Sequence, residues 1–279
     1  MMDLGDDYQC LSIETEGRAV WATIDNPPIN LITRELLIDL LKFSERVAAD
    51  PESTVVVLQS ANPDFFIAHF DVTLLQSEPG EAPPRPTELN AFDSMIERFR
   101  TMPKATIVKV AGRIGGGGSE LAMGCDMRFA ALGRAVMNQM EVPIGIIPGG
   151  GGTQRLPRLI GASRAAELIL GGIDLDAATG EAWGYFNRSL PPEELDPFVD
   201  DLARRIASFD REAVRGAKEA LLCSQTDPVE GLLDETHIFE RLLAREPAQT
   251  LMQRFLDHGG QTADVEQRIE HVAAELNQR

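Results

Sequence analysis

Two glycine-rich segments each place a glutamate where it could transfer a proton. The first, residues 114–121 (IGGGGSEL), leads from a predicted strand into a helix that carries Glu120. Its four consecutive glycines remove every Cβ from the turn, so a ligand could approach the backbone and the free N–H groups at the helix start could hold a negative oxygen. The second, residues 141–156, begins with Glu141 and continues through apolar residues and glycines. Water would be scarce there, which could tune a carboxyl pKa for proton transfer.

Each of these features also has a simpler explanation. A glutamate that opens a helix, such as Glu120, is a favourable N-terminal charge, and a glutamate at a strand end, such as Glu141, is usually solvated. A glycine run can also cradle a nucleotide phosphate, but residues 114–121 lack the GK[ST] ending of a Walker loop and do not match GxGxxG with its acidic partner. Nucleotide hydrolysis is therefore not predicted.

A third segment, residues 65–72 (FFIAHFDV), is apolar but contains His69 and Asp71. Taken alone, it predicts a buried strand end with a hydrogen-bonded histidine. Adjacent residues of an extended chain point to opposite faces, so one of His69 and Phe70 should face away from any site. We therefore do not expect His69 to be catalytic.

Strands and helices alternate along the first half of the chain, which indicates an α/β core. Residues 10–14 and 19–24 predict a hairpin, and Thr33 is expected to cap a helix that ends before Pro51. The further strands predicted are residues 54–59, 106–110 and 127–131, and the further helices are residues 88–101 and 118–124.

Helices dominate after Gly149. Ser163 is expected to cap a helix over residues 164–170, and further helices are expected to start at residues 193, 211, 229 and 263. Residues 77–86 (SEPGEAPPRP), rich in proline and glutamate, predict a surface loop.

The composition excludes several classes of partner. Lysine and arginine total 26 against 44 aspartates and glutamates, and the formal net charge of -18 opposes binding to nucleic acid and to anionic membranes. The negative electrostatic field of the protein also opposes phosphate-bearing ligands at long range. A phosphate site must therefore be locally basic or use backbone N–H groups.

The cysteines and the N-terminus predict a cytoplasmic protein. Cys10, Cys125 and Cys223 lie far apart, which is typical of a reducing compartment and predicts neither disulfides nor structural zinc. The acidic N-terminus has the features of neither a signal peptide nor a transit peptide, and no apolar run approaches the roughly 18 residues of a membrane span.

The three segments together resemble the enoyl-CoA hydratase/isomerase (crotonase) family. The resemblance begins at residues 26–30 (NPPIN), and its most specific parts are residues 115–126 and 141–161. It implies an α/β fold, a right-handed spiral of ββα repeats, followed by helices that mediate trimerisation. We expect the catalytic core to span residues 1–208 and the helical C-terminal region to span residues 209–279.

The resemblance also implies a role for each candidate residue. The backbone N–H groups of Phe70 and Gly117 would form an oxyanion hole for the thioester carbonyl. Glu120 and Glu141 would hold and activate a water, one taking its proton while the other supplies a proton to the α-carbon. The residues expected to line the substrate site are Ala68, Asp71, Val72, Gly116, Pro148 and Gly149.

These roles predict a carbon–oxygen lyase of fatty acid metabolism that hydrates an α,β-unsaturated acyl-CoA, or dehydrates the product. Double-bond isomerisation and carbon–carbon bond cleavage remain alternatives, because the same enolate chemistry supports them. A catalytically inactive acyl-CoA-binding scaffold is a further alternative, although it would need neither glutamate. No metal and no cofactor beyond the coenzyme A of the substrate is expected, and the assembly implied is a homotrimer or a dimer of trimers.

Two departures from the family pattern bear on the substrate. Phe70 stands where the family usually has a small residue and His69 where it usually has glycine, so we expect a reshaped acyl pocket. Near the C-terminus, residues 255–261 (FLDHGGQ) replace a basic segment that often helps to hold coenzyme A, which leaves an acyl-carrier-protein substrate open. Residues 263–279 predict an amphipathic extension that packs or forms an interface.

Overall fold

The computed structural model of the protein describes residues 4–224 and 229–276. Its strands are β1 (Leu11–Glu16), β2 (Ala19–Ile24), β3 (Val55–Ser60), β4 (Phe65–Ile67), β5 (Ala105–Val110), β6 (Arg113–Gly115), β7 (Met127–Ala131), β8 (Val136–Asn138), β9 (Leu175–Asp176) and β10 (Arg188–Leu190). Its helices are α1 (Arg34–Ala49), α2 (Ala91–Thr101), α3 (Gly116–Gly124), α4 (Gly152–Ile160), α5 (Ala162–Gly171), α6 (Ala177–Trp183), α7 (Pro192–Ser208), α8 (Arg211–Cys223), α9 (Val229–Leu243), α10 (Glu246–Asp257), α11 (Ala263–Glu266) and α12 (Ile269–Leu276).

The strands form two sheets. The main sheet has the order β1-β2-β3-β5-β7-β10 and is parallel except for the β1–β2 hairpin, while the second has the order β4-β6-β8-β9. The strand pairs β3–β4, β5–β6 and β7–β8 each give one strand to either sheet, and a helix follows each pair. This repeat of two strands and a helix confirms the α/β class predicted from the sequence.

Alternating side chains of the main sheet serve two apolar cores. In β3, Val56 and Leu58 point into the larger core, between the sheet and helices α1 to α3. Val55 and Val57 point to the opposite face, where Leu195 of α7 covers them. Both faces of the central strands β2, β3, β5 and β7 are therefore largely buried, as their nearly continuous apolar sequences require.

The C-terminal helices form a third apolar core around the segment that follows β8. Met252 and Phe255 of α10 pack there with Met140, Ile146 and Val72. The division predicted at residue 208 falls between α7 and α8. In the described parts of the chain, no helix has the length and apolar character needed to cross a membrane.

Local signals located the ends of several elements to within a few residues, but not every predicted cap is present. Thr33 caps α1 as predicted, its side chain accepting a hydrogen bond from the N–H of Leu36. Ser163, however, does not cap α5: the helix begins at Ala162, with Gly161 at the N-cap position. Gly161 has φ +86°, a backbone conformation that favours glycine, and it lets α5 start almost directly after α4.

Candidate active site

The glycine run at the start of α3 allows the helix to lie directly against neighbouring chain. A Cβ built on Gly118 would lie 2.6 Å from Cβ of Ile67 in strand β4. Gly116 has φ +45°, and a Cβ there would lie 3.0 Å from both His69 Cβ and Glu141 Oε1. Side chains are thus excluded at these positions, and the helix start comes within contact distance of the segment after β4 and of Glu141.

Glu120 lies in α3 and is bound by the loop that precedes α4. Its side chain is buried, and its Oε1 accepts hydrogen bonds from the N–H groups of Gly150 at 2.8 Å and Gly152 at 2.9 Å. Burial raises the pKa of Glu120 to about 7, against the opposing effect of the two hydrogen bonds, and the nearby charge of Asp93 adds to the rise. This carboxyl therefore exchanges its proton near neutral pH.

Glu141 lies just before the short 3-10 helix Val142–Ile144 and is also buried. Its carboxyl faces Nε2 of Gln139, at 3.2 Å from Oε2 and 3.4 Å from Oε1. Burial raises the pKa of Glu141 well above its ordinary value, and the charge of Glu120 adds to the rise. The two environments thus favour a protonated Glu141 beside a Glu120 that can ionise, which is the arrangement of an acid with a base.

The structure adds Glu235 of α9, which no sequence motif indicated. It is buried, and its carboxyl accepts hydrogen bonds from the N–H of Gly151 at 2.5 Å, from the N–H of Thr153 at 2.7 Å and from the Thr153 hydroxyl. Burial and the charge of Glu120 raise the pKa of Glu235 to about 8, against these hydrogen bonds. The available signal was its position among buried Leu232 and Thr236, on the apolar face of its helix.

The two predicted oxyanion donors lie on neighbouring segments. Phe70 pairs with Ile32 through the carbonyl of His69 and the N–H of Asp71, so this bridge does not use the N–H of Phe70. Gly117 lies in the first turn of α3, where N–H groups have no acceptor within the helix. Both amides are thus donors that the secondary structure leaves available.

Phe92 of α2 connects these donors to Glu120. Its ring makes an edge contact with Phe70, with centroids 5.9 Å apart. A Cβ on Gly117 would lie 3.3 Å from Phe92 Cζ, and one on Gly150 would lie 2.5 Å from Phe92 Cε1 and 2.6 Å from Glu120 Oε2. The structure therefore brings Phe70, Gly117 and Glu120 around one aromatic side chain.

The other predicted substrate contacts divide into two groups. Gly116 and Pro148 lie with the glutamates: a Cβ on Gly116 would lie 3.0 Å from Glu141 Oε1, and a Cβ on Gly152 would meet both Pro148 and Glu120. A Cβ on Gly149 would lie 2.8 Å from the ring of Phe239 in α9.

Ala68, Asp71 and Val72 lie on the other side of Phe70. Ala68 is buried, Asp71 caps the 3-10 helix Val72–Leu74, and Val72 packs in the C-terminal core. His69 is buried, and its ring nitrogens lie against the carbonyl oxygen of Phe70 and the carboxyl of Glu266. The hydrogen bonds of His69, Asp71 and Val72 thus lead to residues other than Glu120 and Glu141.

No group of three or more histidine, cysteine, aspartate or glutamate side chains within residues 4–224 and 229–276 is arranged to hold a metal ion. The chemistry that this arrangement can perform is proton transfer by carboxyls beside backbone donors that can hold a negative oxygen.

Comparison with known proteins gives consistent matches over most of the chain. A model of the enoyl-CoA hydratase/isomerase family matches residues 14–262. Crotonyl-CoA hydratase of Syntrophomonas wolfei is 33% identical over 254 residues, which cover 90% of this chain and 96% of that protein. Short-chain-enoyl-CoA hydratase of Clostridium acetobutylicum is 30% identical, over 88% of this chain and 94% of that protein. The crystal structure of a candidate enoyl-CoA hydratase from Streptomyces avermitilis aligns with a TM-score of 0.87 and 36% identity, over 96% of this chain and 98% of the other.

Proposed function

Because the chain belongs to the enoyl-CoA hydratase/isomerase family, we propose that it adds water to the double bond of an α,β-unsaturated acyl-CoA. Relatives that cover most of its length are named crotonyl-CoA hydratase and short-chain-enoyl-CoA hydratase. The fold is the crotonase-like spiral that the sequence resemblance implied. The observation that carries the choice of hydration is the pair of buried glutamates, Glu120 and Glu141, whose pKa values are both raised by burial.

In this proposal Glu120 is the base and Glu141 the acid. Oε1 of Glu120 is held by two backbone N–H groups, which leaves Oε2 to accept a proton from water as the water oxygen bonds to the β-carbon. Protonated Glu141 gives its proton to the α-carbon. Return of the proton from Glu120 to Glu141 then restores the starting state, and the net change is addition of water.

The N–H groups of Phe70 and Gly117 stabilise the enolate that forms between these steps. The thioester oxygen gains negative charge when water adds, so donors placed at this oxygen act mainly in the transition state. Removing one such donor typically costs about 3 to 4 kcal/mol of transition-state stabilisation. Ala68, Asp71, Val72, Gly116, Pro148 and Gly149 complete the proposed substrate site.

Coenzyme A carries the acyl group, as in the names of the relatives, and the glutamates and backbone donors need no further cofactor. Residues 209–279 mediate assembly into a homotrimer or a dimer of trimers. A cytoplasmic location is supported by the free thiols of Cys10, Cys125 and Cys223.

The function is tested by incubating the pure protein with a panel of enoyl-CoA thioesters in water labelled with oxygen-18. Label should appear at the β-carbon of the product, and Glu120→Gln or Glu141→Gln should abolish its incorporation. Glu275→Gln, at an exposed position of α12, is the matched control and should retain it. Absence of labelled product with every thioester would overturn hydration, and deuterium exchange into the substrate without added oxygen would identify an isomerase instead.

A further inference from the structure

A buried ion pair joins the segment that carries Phe70 to the C-terminal helices. His69 and Glu266 of α11 have side chains that are 2% and 3% exposed, and His69 Nε2 lies 3.1 Å from Glu266 Oε1. The other ring nitrogen, Nδ1, lies 2.8 Å from the carbonyl oxygen of Phe70. With Glu266 ionised, both neighbours can only accept hydrogen bonds, so both ring nitrogens donate and the ring is an imidazolium.

The surroundings of His69 support the charged form. Burial opposes it, but the charge and hydrogen bond of Glu266, the Phe70 carbonyl and the charge of Asp71 together raise the pKa of His69 above its ordinary value. The ring of Phe255 in α10 makes an edge contact with the imidazole, with centroids 5.8 Å apart. His69 is therefore fully engaged and has no nitrogen left for a substrate.

Gln261 provides a second connection between the same two segments. Its side chain accepts a hydrogen bond from the N–H of Val72 at 2.6 Å and donates one to Asp71 Oδ1 at 3.0 Å. Its own N–H donates to Glu266 Oε1 at 2.8 Å. Gln261 has φ +66°, a left-handed conformation that a non-glycine residue rarely adopts unless its contacts require it.

These contacts hold the chain on both sides of Phe70. His69 is fixed before it, Asp71 and Val72 are fixed after it, and all of the bonds lead to residues 261–266. The N–H of Phe70 lies within this fixed stretch. An oxyanion donor must be directed at its oxygen within a fraction of an ångström, and a misplacement of about 1 Å can cost roughly a hundredfold in rate.

We propose that Glu266, His69 and Gln261 form a clamp that orients the Phe70 N–H for the thioester oxygen. All three are positioning residues, because they act through the backbone of Phe70 and none of them contacts the reacting atoms. The effect of the clamp on rate rests on the proposed hydratase function. The contacts that form the clamp do not depend on that function. It also gives a role to a histidine at a position where the resembled family usually has glycine.

The test compares Glu266→Ala with Glu275→Ala, a loss of an exposed glutamate from the same C-terminal region. Hydrogen–deuterium exchange of peptides covering residues 66–74 should increase in Glu266→Ala and remain at the wild-type level in the control. With crotonyl-CoA, kcat should fall by about 10- to 100-fold while KM changes less than about threefold, because the oriented donor acts in the transition state. Glu266→Gln retains a hydrogen-bonding side chain of the same shape and should restore most of kcat.

The proposal would be overturned if Glu266→Ala kept the wild-type hydrogen–deuterium exchange of residues 66–74 and the wild-type kcat. A rise in KM with unchanged kcat would also overturn it. If Glu266→Ala does not fold, Gln261→Ala serves as the test, since it removes the bonds to Asp71 and Val72 and leaves the ion pair in place. If the wild-type protein hydrates no thioester, the proposed function fails, and the exchange of residues 66–74 alone decides whether the clamp exists.

Discussion

The ionisation of Glu120 depends on a second buried acid, Asp93 of α2. Asp93 is fully buried, its Oδ1 has no hydrogen-bond partner within the described residues, and burial raises its pKa to about 6. Its negative charge in turn raises the pKa of Glu120. The protonation state of the proposed base is therefore set partly by a residue that forms no hydrogen bond with it.

Asp93→Asn should move the pH profile of the reaction to lower pH. Activity requires ionised Glu120 and so rises with pH through the pKa of that group, and removal of the neighbouring charge lowers this pKa. The measurement is the ascending limb of kcat/KM against pH, with Asp257→Asn, at an exposed site in α10, as the control. An unchanged ascending limb, or a shift of this limb to higher pH, would contradict the dependence of the Glu120 pKa on the charge of Asp93.

Phe92 should limit the length of the acyl group. Its ring fills the space beside Gly117 and Gly150, between the proposed oxyanion donors and Glu120. Phe92→Ala should raise kcat/KM for long-chain enoyl-CoA relative to crotonyl-CoA by at least about tenfold, since each methylene accommodated contributes about 1 to 3 kcal/mol. Phe209→Ala, which removes a partly exposed ring that follows α7, should leave the ratio unchanged. An unchanged ratio in Phe92→Ala would mean that the acyl chain of the substrate does not lie against Phe92.

At the scale of the elements, the sequence predicted those features of helices and strands that depend on residues close together in the chain. The cap at Thr33, strand β7 and the helical start after the glycine run depend on local spacing, and they were located within a few residues. The contacts of Glu235 with Thr153 and of Glu266 with His69 could not be inferred in this way. They join residues 82 and 197 positions apart, and nothing in the local pattern of α9 or α11 names the partner.

The start of α4 shows what such a long-range contact does. Four consecutive N–H groups are shared alternately between two carboxyls: Gly150 and Gly152 donate to Glu120, while Gly151 and Thr153 donate to Glu235. This alternation satisfies the unpaired donors of the helix start and fixes Glu120 relative to the loop. It also ties α9 of the C-terminal region to the core.

Glu235→Ala should therefore destabilise the protein more than an ordinary surface change. The buried N–H of Gly151 and the half-buried N–H of Thr153 would lose their acceptor, which should lower the free energy of unfolding by about 2 to 4 kcal/mol. Glu230→Ala, at an exposed position on the same helix, should change it by less than about 0.5 kcal/mol. Urea unfolding measures both, and equal values for the two variants would contradict the role of Glu235 as a cap.

At the scale of the whole molecule, the site is assembled from distant parts of the chain. The donors come from the segment after β4 and from α3, the carboxyls come from α3 and the segment after β8, and α9 and α11 hold them in place. The C-terminal helices thus hold segments of the proposed active site in place. From the sequence, these helices were expected only to mediate oligomerisation and to pack against the core.

The acidic surface should make substrate capture depend on salt. The formal net charge of -18 repels the phosphates of coenzyme A, even though Arg155, Arg158 and Lys218 line a cleft of about 530 Å³ between α4 and α8. The range of this repulsion falls from about 30 Å at 0.01 M to about 8 Å at 0.15 M ionic strength. We expect kcat/KM for crotonyl-CoA to rise severalfold over this interval at constant kcat. The N-acetylcysteamine thioester of the same acyl group has no phosphate and should show no such rise. A fall in kcat/KM with added salt for crotonyl-CoA alone would mean that a local basic site, and not the net field, governs the encounter.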